Sequence, residues 1–114
     1  MNEGENRPNI LVVCGKNKKR SRTAEHLYLN DPRINIRSAG LSPKSERKLN
    51  EKDLQWANLV LVMEKEHKNK IGELYSFLPL PVIINLDIPD EYEFMDEELI
   101  DILTDKFNES VFSV

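Results

Sequence analysis

Between residues 10 and 21 the chain reads Ile10-Leu11-Val12-Val13-Cys14-Gly15-Lys16-Asn17-Lys18-Lys19-Arg20-Ser21. The four apolar residues at its start have no polar interruption, which is typical of a parallel strand that is buried on both faces. A polar and basic loop follows. Apolar residues then recur at Ala24, Leu27 and Tyr28 with the spacing of a helix. A strand, a short loop and a helix in this order predict the first unit of an α/β domain.

The rest of the chain repeats the alternation of strand and helix. The predicted strands are 10–13, 34–36 running on into 38–40, 59–63 and 82–86, and the predicted helices are 21–29, 50–56, 64–74 and one that starts at about residue 96. In the third of these helices, Ile71 and Leu74 are predicted to point inward. The pattern predicts a three-layer α/β/α sandwich with a four-stranded parallel sheet, and residues 1–114 are expected to form a single domain.

Composition and charge narrow the classes of function. Residues 1–57 carry 12 Lys and Arg against 7 Asp and Glu, whereas residues 58–114 carry 4 against 13. A basic first half in an acidic protein favours a local anion site over a nucleic-acid-binding surface, so no nucleic-acid partner is expected. No segment approaches the roughly 20 apolar residues of a membrane span, and residues 1–7 do not begin a signal peptide. Together with the single cysteine, this predicts a cytoplasmic protein with no membrane association.

The loop itself has the pattern C-x5-R-S, from Cys14 to Arg20 and Ser21. A loop of this length between a buried strand and a helix can turn its backbone N–H groups toward one centre. Such a nest, closed by the N-terminus of a helix, binds an anion of the size of phosphate. A phosphate site is therefore predicted in the loop, with the substrate-binding residues Gly15, Lys16, Asn17, Lys18, Lys19 and Ser21.

Cys14, Arg20 and Ser21 each have a chemical reason to be in this pattern. A helix N-terminus and nearby cations favour the thiolate of Cys14, which is the nucleophilic form. The guanidinium of Arg20 is planar and always charged, and it can hold two phosphoryl oxygens at once. Ser21 can donate a hydrogen bond to the sulfur. These residues predict in-line attack on a phosphomonoester through a cysteinyl-phosphate intermediate.

At this point the chain resembles the low-molecular-weight protein tyrosine phosphatases, in a short bacterial branch of predicted phosphatases. The resemblance includes the C-x5-R-S loop after the first strand, the stretch Arg20-Ser21 with Thr23-Ala24-Glu25, the turn Ser38-Ala39-Gly40, and the segments Asp53-Leu54 and Trp56-Ala57-Asn58-Leu59-Val60-Leu61-Val62-Met63. It implies a metal-independent hydrolase that needs no cofactor. Its substrate would be a phosphorylated protein or a small phosphomonoester, and its product inorganic phosphate.

The family's general acid is an aspartate in a D-P-[YW] turn late in the chain. Here Pro89-Asp90-Glu91-Tyr92 is similar to that turn, with Glu91 where proline is usual. This implies Asp90 as the catalytic acid, and Tyr92 would line the cleft beside it. Asp87 is the competing candidate. Both follow the last predicted strand, and strand ends share one edge of a parallel sheet, so either could meet Cys14 there.

The sequence also departs from the family. Lys16 stands where glycine is usual, and Lys19 stands in place of a second cysteine that shields the nucleophile in many members. The segment between Gly40 and Asn50 is shorter than in typical members, in which it supplies an aromatic wall. The expectation is a wider, shallower cleft with weaker selectivity for phosphotyrosine.

Two other functions stay open from the sequence. A phosphocarrier with a phosphorylated cysteine also places cysteine after a first parallel strand, although it does not use an arginine such as Arg20. A non-catalytic phosphate-binding module would keep the loop and lose the acid. His26 and His67 lack the spacing of metal ligands and are expected to be solvated or structural, so no metal site is predicted.

Overall fold

The structure is a computed structural model that describes residues 7–112; the expectation for the extreme N-terminus lies outside this range. Four strands alternate with four helices, as the sequence predicts. They are β1 (Asn9–Cys14), α1 (Arg20–Tyr28), β2 (Asn35–Gly40), α2 (Glu51–Trp56), β3 (Leu59–Val62), α3 (Lys65–Leu74), β4 (Val82–Asn85) and α4 (Glu97–Ser110).

The strands form one parallel sheet in the order β2-β1-β3-β4. The register pairs Val12 of β1 with Ser38 of β2 on one side and with Leu61 of β3 on the other. In this order β1 lies between β2 and β3. The connection from β1 to β2 therefore runs toward one edge of the sheet, and the connection from β2 to β3 runs back toward the other edge. Ligands of parallel α/β sheets bind outside the carboxyl ends of the strands at such a switch point.

Helices cover both faces of the sheet, which confirms the three-layer arrangement. One core cluster lies between the sheet and α1 with α4; its fully buried members include Ile10, Val12, Leu61, Leu103 and Phe107. The other lies between the sheet and α2 with α3. Strands β1 and β3 are buried on both faces of the sheet. Successive side chains along each strand point to opposite faces, so they enter the two clusters in turn.

The short helix α2 is fixed by its first turn. The side chain of Asn50 accepts a hydrogen bond from the backbone N–H of Asp53, and the Asp53 carboxylate accepts one from the backbone N–H of Asn50. This reciprocal capping box satisfies two N–H groups that a helix start leaves free.

One packing prediction is wrong. Leu74 was expected to point inward from α3, but 53% of its surface is exposed. Leu74 is the last residue of the helix, and Tyr75, which follows it, packs against the second cluster instead. Ile71 is fully buried, as predicted.

Candidate active site

Three segments meet at the carboxyl edge of the sheet. The loop of residues 15–19 joins β1 to α1, Met63 and Glu64 follow β3, and residues 86–96 lead from β4 to α4. Backbone hydrogen bonds hold the last of these segments to the sheet: the N–H groups of Leu86 and Ile88 donate to the carbonyls of Val62 and Met63 at 2.8 and 2.9 Å. The edge thus brings together residues 15–19, the cysteine loop, and residues 86–96, the acidic segment, as the parallel topology predicts.

The loop turns on Asn17, which has a left-handed backbone with φ of 53° and no exposed surface. Asparagine tolerates this conformation better than most residues. Its amide nitrogen donates hydrogen bonds to the hydroxyls of Ser21 at 2.8 Å and Ser38 at 2.9 Å. The Ser38 hydroxyl in turn donates to the Glu25 carboxylate at 2.8 Å. Asn17 therefore supports the loop from beneath.

The sulfur of Cys14 is the centre of the loop. The backbone N–H of Asn17 donates to Sγ at 3.2 Å, and the Ser21 hydroxyl lies 2.9 Å from Sγ. Hydrogen bonds directed at a sulfur stabilise its charged form, the thiolate. Only 3% of the Cys14 surface is exposed, and its body packs in the first core cluster. The residue nevertheless lines the cavity described below, so it is buried at the floor of an open site.

Gly40 allows the close approach of two loops. A Cβ atom at this position would lie 2.8 Å from the backbone nitrogen of Asn17, closer than real Cβ contacts come. Beyond Gly40, the N–H groups of Leu41 and Ser42 donate to the carbonyls of Cys14 and Gly15 at 3.0 and 2.7 Å. The short segment 41–49 therefore flanks the cysteine loop and fixes its first residues.

A cavity of about 400 Å³ opens above the sulfur. Its lining residues are Cys14, Gly15, Lys16, Lys18, Lys19, Arg20, Glu64, His67 and Asp90. Helix α1 begins at its wall, and the N-cap residue Lys19 makes no side-chain cap hydrogen bond. The first N–H groups of a helix have no partner within the helix, so α1 offers donors to an anion in this cavity.

Arg20 is held in the wall with 4% of its side chain exposed. One terminal nitrogen, Nη1, donates to the carbonyl of Ile88 at 2.7 Å and lies 2.8 Å from a carboxylate oxygen of Glu64. Its Nε lies 3.7 Å from a carboxylate oxygen of Asp90. The carbonyl and the two carboxylates orient the guanidinium, which is the group best suited to hold two phosphoryl oxygens.

The two candidate acids differ in position. Asp90 lines the cavity beside Arg20, and two thirds of its side chain is exposed to solvent. Asp87 is exposed, does not line the cavity, and has a left-handed backbone with φ of 56°. Its backbone N–H donates a local hydrogen bond to the side-chain oxygen of Asn85 at 2.9 Å, which makes it a turn residue. Geometry therefore favours Asp90.

The other sequence-predicted binding residues divide into two groups. Gly15, Lys16, Lys18 and Lys19 line the cavity, whereas Asn17 and Ser21 lie beneath it and contact the sulfur. Tyr92 is half-buried against the first core cluster and is not among the lining residues.

Two lining residues, Glu64 and His67, were not predicted as site residues. Glu64 comes two residues after Val62, the last residue of β3, so the rule that strand ends share an edge could have identified it. His67 lies in the first turn of α3, with Nε2 3.5 Å from the Glu64 carboxylate. Burial lowers the pKa of His67; Arg20 acts in the same direction, whereas Glu64, Glu66 and Asp90 oppose it.

Within residues 7–112, no three His, Cys, Asp or Glu side chains are grouped so that they could hold a metal ion. In the same range, none of the helices has the length and apolar character that crossing a membrane requires. The chemistry available at the site is that of a buried sulfur nucleophile, a fixed guanidinium, helix N–H donors and a carboxyl group.

Neither protein-family models nor curated proteins gave a match to the sequence. Solved structures do match. SP-PTP, a low molecular weight protein tyrosine phosphatase from Streptococcus pyogenes, superposes with a TM-score of 0.72 at 15% identity, covering 91% of this chain and 93% of that one. YwlE arginine phosphatase from Geobacillus stearothermophilus gives 0.68 at 22% identity, covering 92% and 93%. The tyrosine phosphatase Wzb from Escherichia coli K30, in complex with sulphate, gives 0.68 at 20% identity, covering 90% and 94%. The chain has the fold of the low-molecular-weight phosphatases, which confirms the fold that the resemblance implied.

Proposed function

We propose that the chain is a metal-independent phosphomonoester hydrolase of the protein tyrosine phosphatase type. The observation that carries the proposal is the position of the Cys14 sulfur, which lies at the floor of a cavity with hydrogen-bond donors beneath it and with Arg20 and Asp90 in the wall. A cysteine that was only a packing residue would not need this arrangement.

In the first step, the Cys14 thiolate attacks phosphorus in line with the ester oxygen. The sulfur–phosphorus bond forms as the phosphorus–oxygen bond breaks. The guanidinium of Arg20 and the free N–H groups at the start of α1 stabilise the charge on the three remaining oxygens. Asp90, in its protonated form, donates a proton to the leaving oxygen. The ester leaves as an alcohol or phenol.

In the second step, water hydrolyses the cysteinyl phosphate. The Asp90 carboxylate accepts a proton from the water as its oxygen bonds to phosphorus, and the sulfur–phosphorus bond breaks. The sulfur leaves as a thiolate, which the Asn17 N–H and the Ser21 hydroxyl stabilise at 3.2 and 2.9 Å. Inorganic phosphate is released and Asp90 is protonated again for the next cycle.

The comparisons favour this reaction class, because structures of the same fold belong to tyrosine and arginine phosphatases. The substrate is a phosphorylated protein or a small phosphomonoester. The reaction requires the lone cysteine as a free thiol, so we place the protein in a reducing compartment, the cytoplasm. A phosphocarrier would need neither Arg20 nor an acid at the position of Asp90.

The proposal is tested by a pH–rate profile on a generic aryl phosphate. The wild type, Cys14→Ala, Asp87→Asn and Asp90→Asn are compared between pH 5 and pH 7.5. We expect no turnover by Cys14→Ala. Asp90→Asn should be about 10²- to 10⁴-fold slower, which is the range for loss of a general acid, and should still bind phosphate. Asp87→Asn should remain within a few-fold of the wild type. A wild type without turnover at any pH in this range would remove the proposal.

A further inference from the structure

The cationic side chains of the cavity differ in whether an anion already neutralises them. Arg20 faces the carboxylates of Glu64 and Asp90. Lys19 pairs with Glu93 at 3.1 Å. Lys16 and Lys18 also line the cavity, and neither has a carboxylate within salt-bridge distance among residues 7–112.

The backbone of Asn17 explains why these two lysines face outward. Its left-handed turn buries the Asn17 side chain completely beneath the loop, whereas both flanking residues are exposed. Lys16 and Lys18 therefore flank the turn on either side, and both are exposed side chains that line the cavity.

The cavity lining is also poor in aromatic side chains, and the imidazole of His67 is the one ring among its described residues. None of the described lining residues is Phe, Tyr or Trp. Segment 41–49, which flanks the cysteine loop, contributes no residue to the lining, and Tyr92 packs against the core cluster instead. Selectivity at the mouth must therefore come from charge more than from ring stacking.

We propose that the preferred substrate is a phosphomonoester whose leaving group carries a second anionic group, which Lys16 and Lys18 bind at the mouth of the cavity. This inference rests on the proposed function and specifies its substrate class. The second anion can be a carboxylate next to the phosphorylated residue of a peptide, or a second phosphate on a small molecule. Both have the same chemistry, and the experiment separates them.

The test measures kcat/KM for two matched pairs of substrates. One pair is a phosphotyrosine peptide with Asp and Glu beside the phosphorylated residue and the same peptide with Asn and Gln. The other pair is a sugar bisphosphate and the corresponding monophosphate. The ratio within a pair reports the preference for a second anion and does not depend on overall activity. Wild type is compared with Lys16→Gln/Lys18→Gln and with a control of equal charge, Lys52→Gln/Lys70→Gln, whose lysines are exposed and do not line the cavity.

We expect the wild type to prefer the acidic member of at least one pair by about tenfold, because an exposed ion pair contributes roughly a two- to fivefold change in binding for each lysine. The preference should fall to about one in Lys16→Gln/Lys18→Gln, remain in the control, and weaken as salt is raised. The substrate pair for which the wild type shows this preference identifies the source of the second anion. Ratios near one for both pairs in the wild type, or a preference that survives loss of both lysines, would overturn the inference.

Failure of the inference and failure of the proposed function give different results. Hydrolysis without any preference contradicts the inference alone. If the wild type hydrolyses none of the substrates, the proposed function fails. In that case calorimetry measures the affinities of Cys14→Ala for the same pairs of compounds, with and without the lysine substitutions. The ratio of the two affinities within each pair then tests the inference in place of the ratio of kcat/KM.

Discussion

Among single residues, Arg20 has the most constrained position in the site. Its guanidinium contacts the carbonyl of Ile88 and the carboxylate of Glu64 within hydrogen-bond distance, and it is almost fully buried. A planar group with several N–H donors can make these contacts and still direct donors at a phosphoryl group. A lysine ammonium group has only one nitrogen, so it cannot contact the Ile88 carbonyl and the Glu64 carboxylate and also hold two phosphoryl oxygens.

We therefore expect Arg20→Lys to lower kcat/KM for an aryl phosphate by about 10²- to 10³-fold, although the charge is retained. The matched control is Arg22→Lys. Arg22 lies on the same helix with 40% of its side chain exposed, and its ion pairs are with Glu25 and Glu46. Steady-state kinetics on both variants tests this. An Arg20→Lys enzyme that kept a tenth or more of wild-type activity would show that the fork of donors is not needed.

His67 predicts a dependence of stability on pH. Burial lowers its pKa in the folded protein, with Arg20 acting in the same direction against the opposing carboxylates of Glu64, Glu66 and Asp90. The unfolded chain then binds a proton more readily, so protonation favours unfolding as the pH falls below the ordinary histidine pKa of about 6.5. Above that pH neither state is protonated and the effect is absent.

The measurement is urea unfolding of wild type and His67→Gln at several values between pH 8 and pH 5. The free energy of unfolding should fall more steeply with decreasing pH in the wild type than in His67→Gln, because only the wild type loses the contribution of this residue. Equal slopes, or a steeper slope in the variant, would contradict the assignment.

At the scale of elements, α1 and α4 are joined by aromatic packing. Phe107 of α4 is fully buried and stacks on Tyr28 of α1, with ring centroids 4.3 Å apart and planes 10° apart. Since α1 begins in the wall of the cavity, this contact holds the helix whose N-terminus faces the site. The acidic segment is tied to the same helix, because the N–H of Met95 donates to the Thr23 hydroxyl at 3.0 Å.

Phe107→Ala should lower the free energy of unfolding by about 3–5 kcal/mol, the usual cost of truncating a buried phenylalanine. This is a large part of the roughly 5–15 kcal/mol of a typical domain. The control is Phe77→Ala, whose side chain is 68% exposed and which should change stability by no more than about 0.5 kcal/mol. Similar losses in the two variants, measured by urea unfolding, would show that α4 is not packed as described.

For the whole molecule, the sequence was sufficient for the sheet and the layers, because the uninterrupted apolar runs at residues 10–13 and 59–63 are typical of strands buried on both faces of a parallel sheet and alternate with helical patterns. The proximity of the loop residues was also predictable, since Cys14, Arg20 and Ser21 are close in the chain. Leu74 was misplaced because helical spacing does not show where a helix ends. Glu64 was missed because its contact with Arg20 spans 44 positions of sequence and depends on which strands are neighbours.

The central claim is that the substrate's phosphoryl group passes through the sulfur of Cys14. The most direct measurement is mass spectrometry of protein quenched in acid within one turnover of an aryl phosphate. Asp90→Asn is used to slow hydrolysis of the intermediate, and Cys14→Ala is the control. We predict one phosphoryl group on the peptide that contains Cys14, and none on that peptide in Cys14→Ala. Turnover with no phosphoryl group on Cys14, or with one on another residue, would contradict the account.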